Sequence, residues 1–137
     1  QVFPAQMEGA AELAGACPDV TFILQHAGMR EDLSKDGTKL WAVGMKRLAD
    51  CPNVVTKLSA FGTFIHRNDP AFIEEMIVTT EAIFGADRCM FGSNFPVEKL
   101  WTDYASLFRA FRDGASGLTK KKQSAIFNDT AARVYRL

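Results

Sequence analysis

His26 is the residue whose position in this sequence best suits chemistry. It follows the apolar run Phe22-Ile23-Leu24 and Gln25, and it precedes Ala27-Gly28. An imidazole at the end of a strand can bind a metal, orient a carboxylate or move a proton. The structural alternative is a strand-end histidine whose ring is satisfied by a neighbouring loop. The sequence therefore makes His26 the first candidate for a catalytic role.

Lys57 and Ser59 form a second pair of candidates near the end of the next apolar segment, Thr56-Lys57-Leu58-Ser59. Side chains two residues apart in a strand point to the same side, so Lys57 and Ser59 share a face and Leu58 points to the other. A lysine turned inward is costly to bury unless it meets an anion, and it could therefore bind a substrate carboxylate. The alternative places Leu58 inward and lets the Lys57 ammonium reach solvent.

Two loops carry the remaining polar candidates. His66 and Arg67 follow the apolar Phe64-Ile65 and could reach over a pocket, although a solvated loop is the simpler interpretation. Asn94 lies in Gly92-Ser93-Asn94-Phe95-Pro96, where an apolar strand runs into a turn. The pattern predicts an Asn94 amide at the mouth of the fold, and its alternative is an ordinary turn.

An internal repeat indicates how these residues are positioned. Residues 14–28 (AGACPDVTFILQHAG) match residues 48–62 (LADCPNVVTKLSAFG), with an offset of 34 residues. In each copy a helical segment ends at a proline and a strand-like run follows. A third such junction follows Phe84-Gly85, so strand ends are predicted at His26, Ser59 and about Asn94.

Apolar stripes, caps and breakers predict the helices between the strands. One stripe contains Leu40, Trp41, Met45, Leu48 and Ala49, and a second contains Phe72, Ile73, Met76, Ile77, Thr80, Ile83 and Phe84. Asp69-Pro70 and Thr119 are predicted helix starts, and Gly114 is a predicted helix end. Helices that alternate with buried strands indicate an α/β fold with a parallel sheet.

The repeat length distinguishes two α/β architectures. Eight units of 34 residues would give about 270 residues, close to the size of a (β/α)8 TIM barrel. The chain of 137 residues holds about four units, which predicts a partial barrel, with a small open sheet as the alternative. No GxGxxG or GxxxxGK[ST] motif supports the nucleotide-binding version of an open sheet.

Composition excludes several classes of protein. Hydrophobic residues make up 47% and charged residues 23% of the chain, which is typical of a globular domain. Sixteen basic and sixteen acidic residues cancel, so no overall field attracts nucleic acid or a membrane. Three separated cysteines form no CxxC pair, and no secretion signal or membrane-spanning run is present. We therefore expect a cytoplasmic protein, with residues 120–122 as a solvated helix face rather than a nucleic-acid site.

The order and spacing of these segments resemble the carboxyl-terminal half of the amidohydrolase-related family (amidohydrolase 2). These proteins are metal-dependent TIM-barrel hydrolases, and lactonases acting on pyrone dicarboxylate and sugar lactones are the most similar among them. The resemblance rests on four segments of the sequence: residues 22–28, residues 41–59, residues 84–97 and residues 128–135. It covers nearly the whole chain and implies a single, incomplete domain over residues 1–137.

The resemblance also implies roles for individual residues. His26 matches the histidine at the end of the family's fifth strand, which helps to bind substrate or a metal. Asn94 falls where the family usually has the eighth-strand aspartate, a general base or metal ligand. An amide cannot take the proton, although its oxygen can orient water or bind substrate. Residues 62–65 are the candidate for the seventh strand.

The resemblance to a metal-dependent family does not extend to its main metal ligands. The family's His-x-His pair does not occur among the two histidines of this chain. A divalent metal, with zinc the first choice, would need its main ligands upstream of these residues. We assign no metal ligand, and a metal-free site is the alternative.

We expect a hydrolase that opens a lactone or a related cyclic ester or amide by attack of water on the carbonyl. His26 and Asn94 are the expected catalytic residues, and the expected substrate-binding residues are Lys57, Ser59, His66 and Arg67. The small-molecule substrate could bear a carboxylate, and the chain could form a homo-oligomer. One alternative is a zinc-dependent decarboxylase of an aromatic or unsaturated acid. Another is a truncated, non-catalytic half-barrel that self-associates through unpaired sheet edges.

Overall fold

A computed structural model describes residues 1–137 and shows helices alternating with short strands. The α-helices are α1 (Met7–Ala16), α2 (Lys35–Ala49), α3 (Pro70–Phe84), α4 (Tyr104–Gly114), α5 (Lys120–Ser124) and α6 (Thr130–Tyr135). The strands are β1 (Phe22–Leu24), β2 (Val54–Leu58) and β3 (Cys89–Phe91). Short 3-10 turns occupy Pro4–Gln6, Ala86–Arg88 and Val97–Leu100, and a π-helical stretch, Ala125–Asp129, joins α5 to α6. Gln25–Gly28 is a turn with left-handed backbone at His26 and Ala27.

The three strands form one parallel sheet in the order β1-β2-β3. Phe22 is paired with Val54, and Thr56 is paired with both Leu24 and Cys89. The alternation of helix and parallel strand is therefore as the sequence predicts. Because all strands run in one direction, the loops after them leave the same edge of the sheet, which is called the carboxyl edge below.

The strands end earlier than the sequence predicts. β1 ends two residues before His26, β2 ends one residue before Ser59, and β3 ends three residues before Asn94. These three residues lie in the connections that follow the strands, at the carboxyl edge. Their side chains are therefore set by the geometry of the connections as well as by the pleat of the strands.

The prediction of a further strand at residues 62–65 is wrong. This segment is a series of turns, in which the Thr63 amide donates to the Ala60 carbonyl and the His66 amide donates to the Gly62 carbonyl. Local turn bonds satisfy the backbone groups that a strand would have paired with a neighbour. The sheet consequently has three strands.

The core lies between the sheet and the helices that cover it. From α2 it includes Trp41 and Met45, and from β2 it includes Leu58, all exposed by 1% or less. The inclusion of Leu40 in this buried stripe is wrong, because its side chain is 52% exposed. The helix turns the face that carries Trp41 and Met45 toward the core, and this rotation points Leu40 into solvent.

The predicted helix starts are capped as expected. The Asp69 carboxylate accepts hydrogen bonds from the amides of Ala71 and Phe72, and the Thr119 hydroxyl accepts one from the amide of Lys122. Each cap satisfies backbone donors that have no partner in the first turn of a helix.

No helix of the chain is both long enough and apolar enough to cross a bilayer.

Two side chains tie the connections together at the amino edge of the sheet. The Asn53 Nδ2 donates to three carbonyl oxygens around the end of α1, and the Arg88 guanidinium donates to three carbonyl oxygens at the ends of α2 and α3. These bonds fix how each helix passes into the next strand.

The same substitution at a buried and an exposed leucine tests this packing. Leu58→Ala should lower the free energy of unfolding by about 2–5 kcal/mol, because it removes buried methyl groups and leaves a cavity. Leu40→Ala should change it by less than about 0.5 kcal/mol, as is usual for a surface position. Urea unfolding followed by circular dichroism measures both. Equal losses for the two variants would contradict the placement of Leu40.

Candidate active site

The carboxyl edge of the sheet concentrates unusual backbone geometry. His26, Ala60 and Asn94, each in the connection after one of the three strands, have φ values of 58°, 59° and 53°. This left-handed region is uncommon for residues other than glycine, and Asn accepts it more readily than Ala or His. Strain of this kind clusters at functional sites, because only a surrounding structure that demands it can maintain it. The backbone thus indicates the same edge as the candidate side chains.

His26 and Ser59 are brought together by the pairing of β1 with β2. The His26 Nδ1 lies 2.8 Å from the Ser59 Oγ, and Ser59 is 2% exposed. This hydrogen bond uses one ring nitrogen and fixes the plane of the imidazole. The Nε2 atom is then the nitrogen left to act on a ligand.

The surroundings of His26 favour its neutral form. Partial burial lowers the pKa of the imidazole below its ordinary value of 6.5, and the positive charge of Lys57 lowers it further. The ring is therefore uncharged near pH 7. A neutral imidazole can donate or accept a hydrogen bond at Nε2, depending on which way the proton in the Ser59 bond points.

Lys57 and Ser59 lie side by side on one face of the β2 end. A Cβ atom placed on Gly92 would lie 3.2 Å from the Ser59 Cβ and 3.8 Å from the Lys57 Cδ, so both side chains approach the same point. Leu58 is fully buried in the helix-covered core, and Lys57 is only half-buried. The Lys57 Nζ lies 5.4 Å from the centre of the Tyr135 ring, a cation–π contact in place of open solvent.

Arg30 is a basic residue at this edge that the sequence analysis does not single out. Its side chain is 9% exposed, and its guanidinium lies 5.6 Å from the ring centres of both Trp41 and Phe72. It is paired with Glu75 at 2.5 Å, and its Nε has no hydrogen-bond partner. Arg30 and His26 line one small cavity, whose other walls are Met29, Ala60, Phe61, Phe64, Phe72 and Met76. An arginine in a loop gives no sequence signal that it is buried.

Asn94 is held by a buried carboxylate that the sequence analysis also misses. Its Nδ2 donates to the Glu98 Oε1 at 3.3 Å, and the Thr63 hydroxyl donates to the same oxygen at 3.1 Å. Glu98 is 1% exposed. Glutamate is among the residues least often buried, so its type suggests a solvated position. The one local feature that could have indicated a role for Glu98 is its position four residues after Asn94.

His66 and Arg67 occupy the surface of the connection after β2. His66 is exposed and its ring is stacked on Trp101, with the ring centres 4.5 Å apart. Arg67 is exposed and paired with Asp69 at 3.1 Å. Neither side chain is hydrogen-bonded to His26 or Asn94. The structure thus brings His26, Ser59 and Lys57 together and leaves His66 and Arg67 on a separate part of the edge.

The residues of this chain do not fit a metal centre by themselves. No group of three or more histidine, cysteine, aspartate or glutamate side chains is placed to hold an ion. A catalytic zinc site uses three protein ligands and an open position. His26 offers one free ring nitrogen and no second and third ligand is placed beside it, so residues 1–137 do not provide that set.

Comparison with known proteins identifies the family of this chain. The family model described as Amidohydrolase matches residues 1–137. The chain belongs to the amidohydrolase family. A Sinorhizobium fredii protein named y4mH, which is uncharacterized, is 40% identical over 141 residues; the match covers 100% of this chain and 46% of that protein. L-fucono-1,5-lactonase of Burkholderia multivorans is 34% identical over 128 residues, covering 84% of this chain and 43% of the lactonase.

Solved structures give the same result for the fold. An amidohydrolase from Burkholderia multivorans, crystallised with bound HEPES, matches 100% of this chain with a TM-score of 0.91 and 28% identity. A second crystal form of an amidohydrolase from that organism contains bound zinc and matches with a TM-score of 0.89. The chain covers 52% and 51% of those two chains. It thus spans about half the length of the family members that it matches.

Replacing Lys57 with methionine tests the electrostatics of His26. The variant should raise the pKa of the imidazole toward 6.5, although burial, the larger cause, keeps it below that value. The folded state binds fewer protons than the unfolded state between the lowered pKa and 6.5, so stability is lost as pH falls through this window. The loss should be smaller in Lys57→Met. NMR titration of the imidazole protons measures the pKa, and urea unfolding across the window measures the stability. Lys39→Met should leave both unchanged, and an unchanged pKa in Lys57→Met would contradict the assigned cause.

Proposed function

We propose that this chain contributes the carboxyl-edge site of a hydrolase that opens a lactone or a related cyclic ester or amide. The observation that carries the proposal is the neutral His26 imidazole, fixed by Ser59 with Nε2 free, at the strand-end edge of an amidohydrolase-family chain. The 34% identity with L-fucono-1,5-lactonase supports lactone hydrolysis in preference to other amidohydrolase reactions.

The proposed reaction is attack of water on the ring carbonyl. For a lactone, water adds to the carbonyl carbon and the carbonyl oxygen becomes an oxyanion. The ring C–O bond then breaks as one proton of the water passes to the leaving ring oxygen, which gives a carboxylic acid and an alcohol. With the Ser59 hydroxyl donating to Nδ1, the His26 Nε2 carries the proton and donates to the developing oxyanion. The Asn94 amide orients the attacking water, since it can form hydrogen bonds but cannot take a proton.

Basic and polar groups beside this pair are proposed to bind a substrate that bears a carboxylate. Lys57 and Ser59 share one face, and the Arg30 guanidinium lines the cavity that His26 also lines. The unpartnered Arg30 Nε supports this proposal, because a buried donor without an acceptor costs about 1–3 kcal/mol. His66 and Arg67 would contact the outer part of such a substrate from the surface loop.

We assign no reaction step to a metal, because these residues do not form a metal centre. A divalent ion such as the zinc bound in the related crystal structure would take His26 as one ligand. Its remaining ligands would have to come from outside residues 1–137.

We propose in addition that residues 1–137 form one part of a (β/α)8 barrel. The chain covers about half of the related amidohydrolase chains. The outer sides of β1 and β3 have no strand partner in the three-stranded sheet. Unpaired strand edges expose a row of backbone donors and acceptors, which further strands of a barrel would satisfy. A second copy of the chain is the alternative source of those strands.

Loss of the His26 side chain should strongly reduce the proposed activity. In the full-length protein, His26→Ala should lower kcat/KM for hydrolysis of aldonolactones by about 100-fold or more, in the range typical for the loss of an oxyanion donor. A pH-indicator assay with a panel of sugar lactones measures the rate. Asp19→Asn, an exposed change on the amino side of β1, is the matched control and should retain full activity. Normal turnover in His26→Ala would contradict the proposal.

The partial-barrel proposal predicts the size of the protein in its source cells. Mass spectrometry of the intact, denatured polypeptide should give about 30 kDa, since the repeat implies about twice the present number of residues. A mass of 15.1 kDa, that of residues 1–137, would contradict a longer barrel chain. In that case light scattering would decide whether two copies complete one sheet.

A further inference from the structure

Glu98 is a buried acid without a positive partner. It is 1% exposed, and none of the four ion pairs of the chain includes it. Its Oε1 accepts hydrogen bonds from Thr63 and Asn94, while its Oε2 has no partner. Burial of a carboxylate costs free energy unless hydrogen bonds to both oxygens compensate for the lost water. The presence of a half-bonded Glu98 at this edge therefore calls for a physical explanation.

The backbone of the preceding connection holds the Glu98 carboxylate in place. A Cβ atom on Gly62 would lie 2.7 Å from the Glu98 Oε2, 3.0 Å from the Arg67 carbonyl oxygen and 3.5 Å from the Trp101 Cδ1. Only a residue without a side chain leaves room there for the carboxylate. The Glu98 Oε2 therefore lies against the Gly62 backbone. The other oxygen, Oε1, is then directed toward residue 94.

Asn94 and Glu98 are joined by two hydrogen bonds of opposite direction. The Glu98 backbone amide donates to the Asn94 carbonyl at 3.2 Å, and the Asn94 side-chain Nδ2 donates to the Glu98 Oε1. The Asn94 Oδ1 accepts no hydrogen bond from the chain. The Glu98 carboxylate thus determines which end of the Asn94 amide turns toward it, since only the NH2 end can donate a hydrogen bond.

We infer that Glu98 is a positioning residue that fixes the side-chain amide of Asn94, with Nδ2 turned to the carboxylate and Oδ1 left for water or substrate. This inference gives a physical reason for asparagine at this position. An aspartate at position 94 would place two carboxylates within hydrogen-bond distance, and like charges so close cannot both ionise without a large cost. Asn94 and Glu98 therefore form a matched donor–acceptor pair. The role of Oδ1 in the reaction rests on the proposed function, but the pairing does not.

A charge-swap experiment tests the pair in the full-length protein. The variants are Asn94→Asp, Glu98→Gln and the double variant that carries both changes. At pH 8, Asn94→Asp should raise the unfolding equilibrium constant about tenfold, because it sets two carboxylates against each other. The double variant should return to within about threefold of wild type, because the new glutamine amide can donate to the new aspartate. Urea unfolding measures each constant.

The pH dependence separates charge repulsion from a packing defect. At pH 5 the loss in Asn94→Asp should be smaller than at pH 8, because two adjacent carboxyls can then share a proton. Two other ionisable side chains lie near the Asn94–Glu98 pair. The His66 ring is stacked on Trp101, and the Arg67 guanidinium is paired with Asp69. Each variant is compared with wild type at the same pH, which removes their contribution.

A second buried acid, Glu81, supplies the control. Glu81→Gln changes another buried acid, one paired with Lys122, and its effect should simply add to that of Asn94→Asp. Additive effects of Asn94→Asp and Glu98→Gln in the double variant would overturn the inference. If Glu98→Gln fails to fold, a loss in Asn94→Asp that is equal at pH 5 and pH 8 would overturn it.

Two readouts keep this inference separate from the proposed function. In wild type the two Asn94 amide protons should give distinct, slowly exchanging NMR signals, and Glu98→Gln should speed their exchange. If the lactonase activity is absent but the charge swap and the NMR signals behave as expected, only the proposed function fails. If lactones are hydrolysed but the amide signals of Asn94 do not respond to Glu98→Gln, the positioning role fails.

Discussion

The parallel pairing of β2 with β1 and β3 is the constraint on which the candidate site depends. Because the three strands run in one direction, the connections after them leave the sheet at one edge. This alignment brings His26 beside Ser59, although 33 residues separate them in the chain. It also places the Asn94 turn beside the connection that contains Gly62 and Thr63. A small sheet of three short strands thus carries the connections of His26, Ser59 and Asn94 to one edge.

Buried polar groups at this edge are held mainly by hydrogen bonds and aromatic contacts. The His26 imidazole is neutral and bonded to Ser59, and the Glu98 carboxylate is bonded to Thr63 and Asn94. Arg30 lies between two aromatic rings and has one acidic partner. In a site of low polarity each unpaired donor or acceptor is costly, so such groups adopt few orientations. The same restriction that costs stability makes the site rigid.

Membership of the amidohydrolase family and the extent of the match fit this arrangement. The chain covers about half of the related structures, and no group of three or more of its side chains is placed to hold a metal ion. In a parallel α/β fold the loops after the strands build the site, so the three strands described here bring together the residues of their own connections. The residues described here place His26 beside Ser59 and Asn94 beside Glu98 at the carboxyl edge.

The sequence by itself determined the class of the fold and much of its local structure. Local sequence patterns are sufficient to identify the 34-residue repeat, the apolar stripes of the helices and the helix caps at Asp69 and Thr119. Each of these features involves residues that are close together in the chain or a pattern that recurs along it. The same is true of His26 after an apolar strand.

Only the tertiary structure decided which polar residues are buried and what they contact. Glu98 and Arg30 are of types that usually meet solvent, and their burial results from residues distant in sequence: Gly62 and Thr63 for Glu98, and Trp41 and Phe72 for Arg30. The prediction of a strand at residues 62–65 was wrong for a related reason. Those backbone groups are satisfied within turns, and strand pairing depends on the partner that the fold provides, which no local pattern specifies.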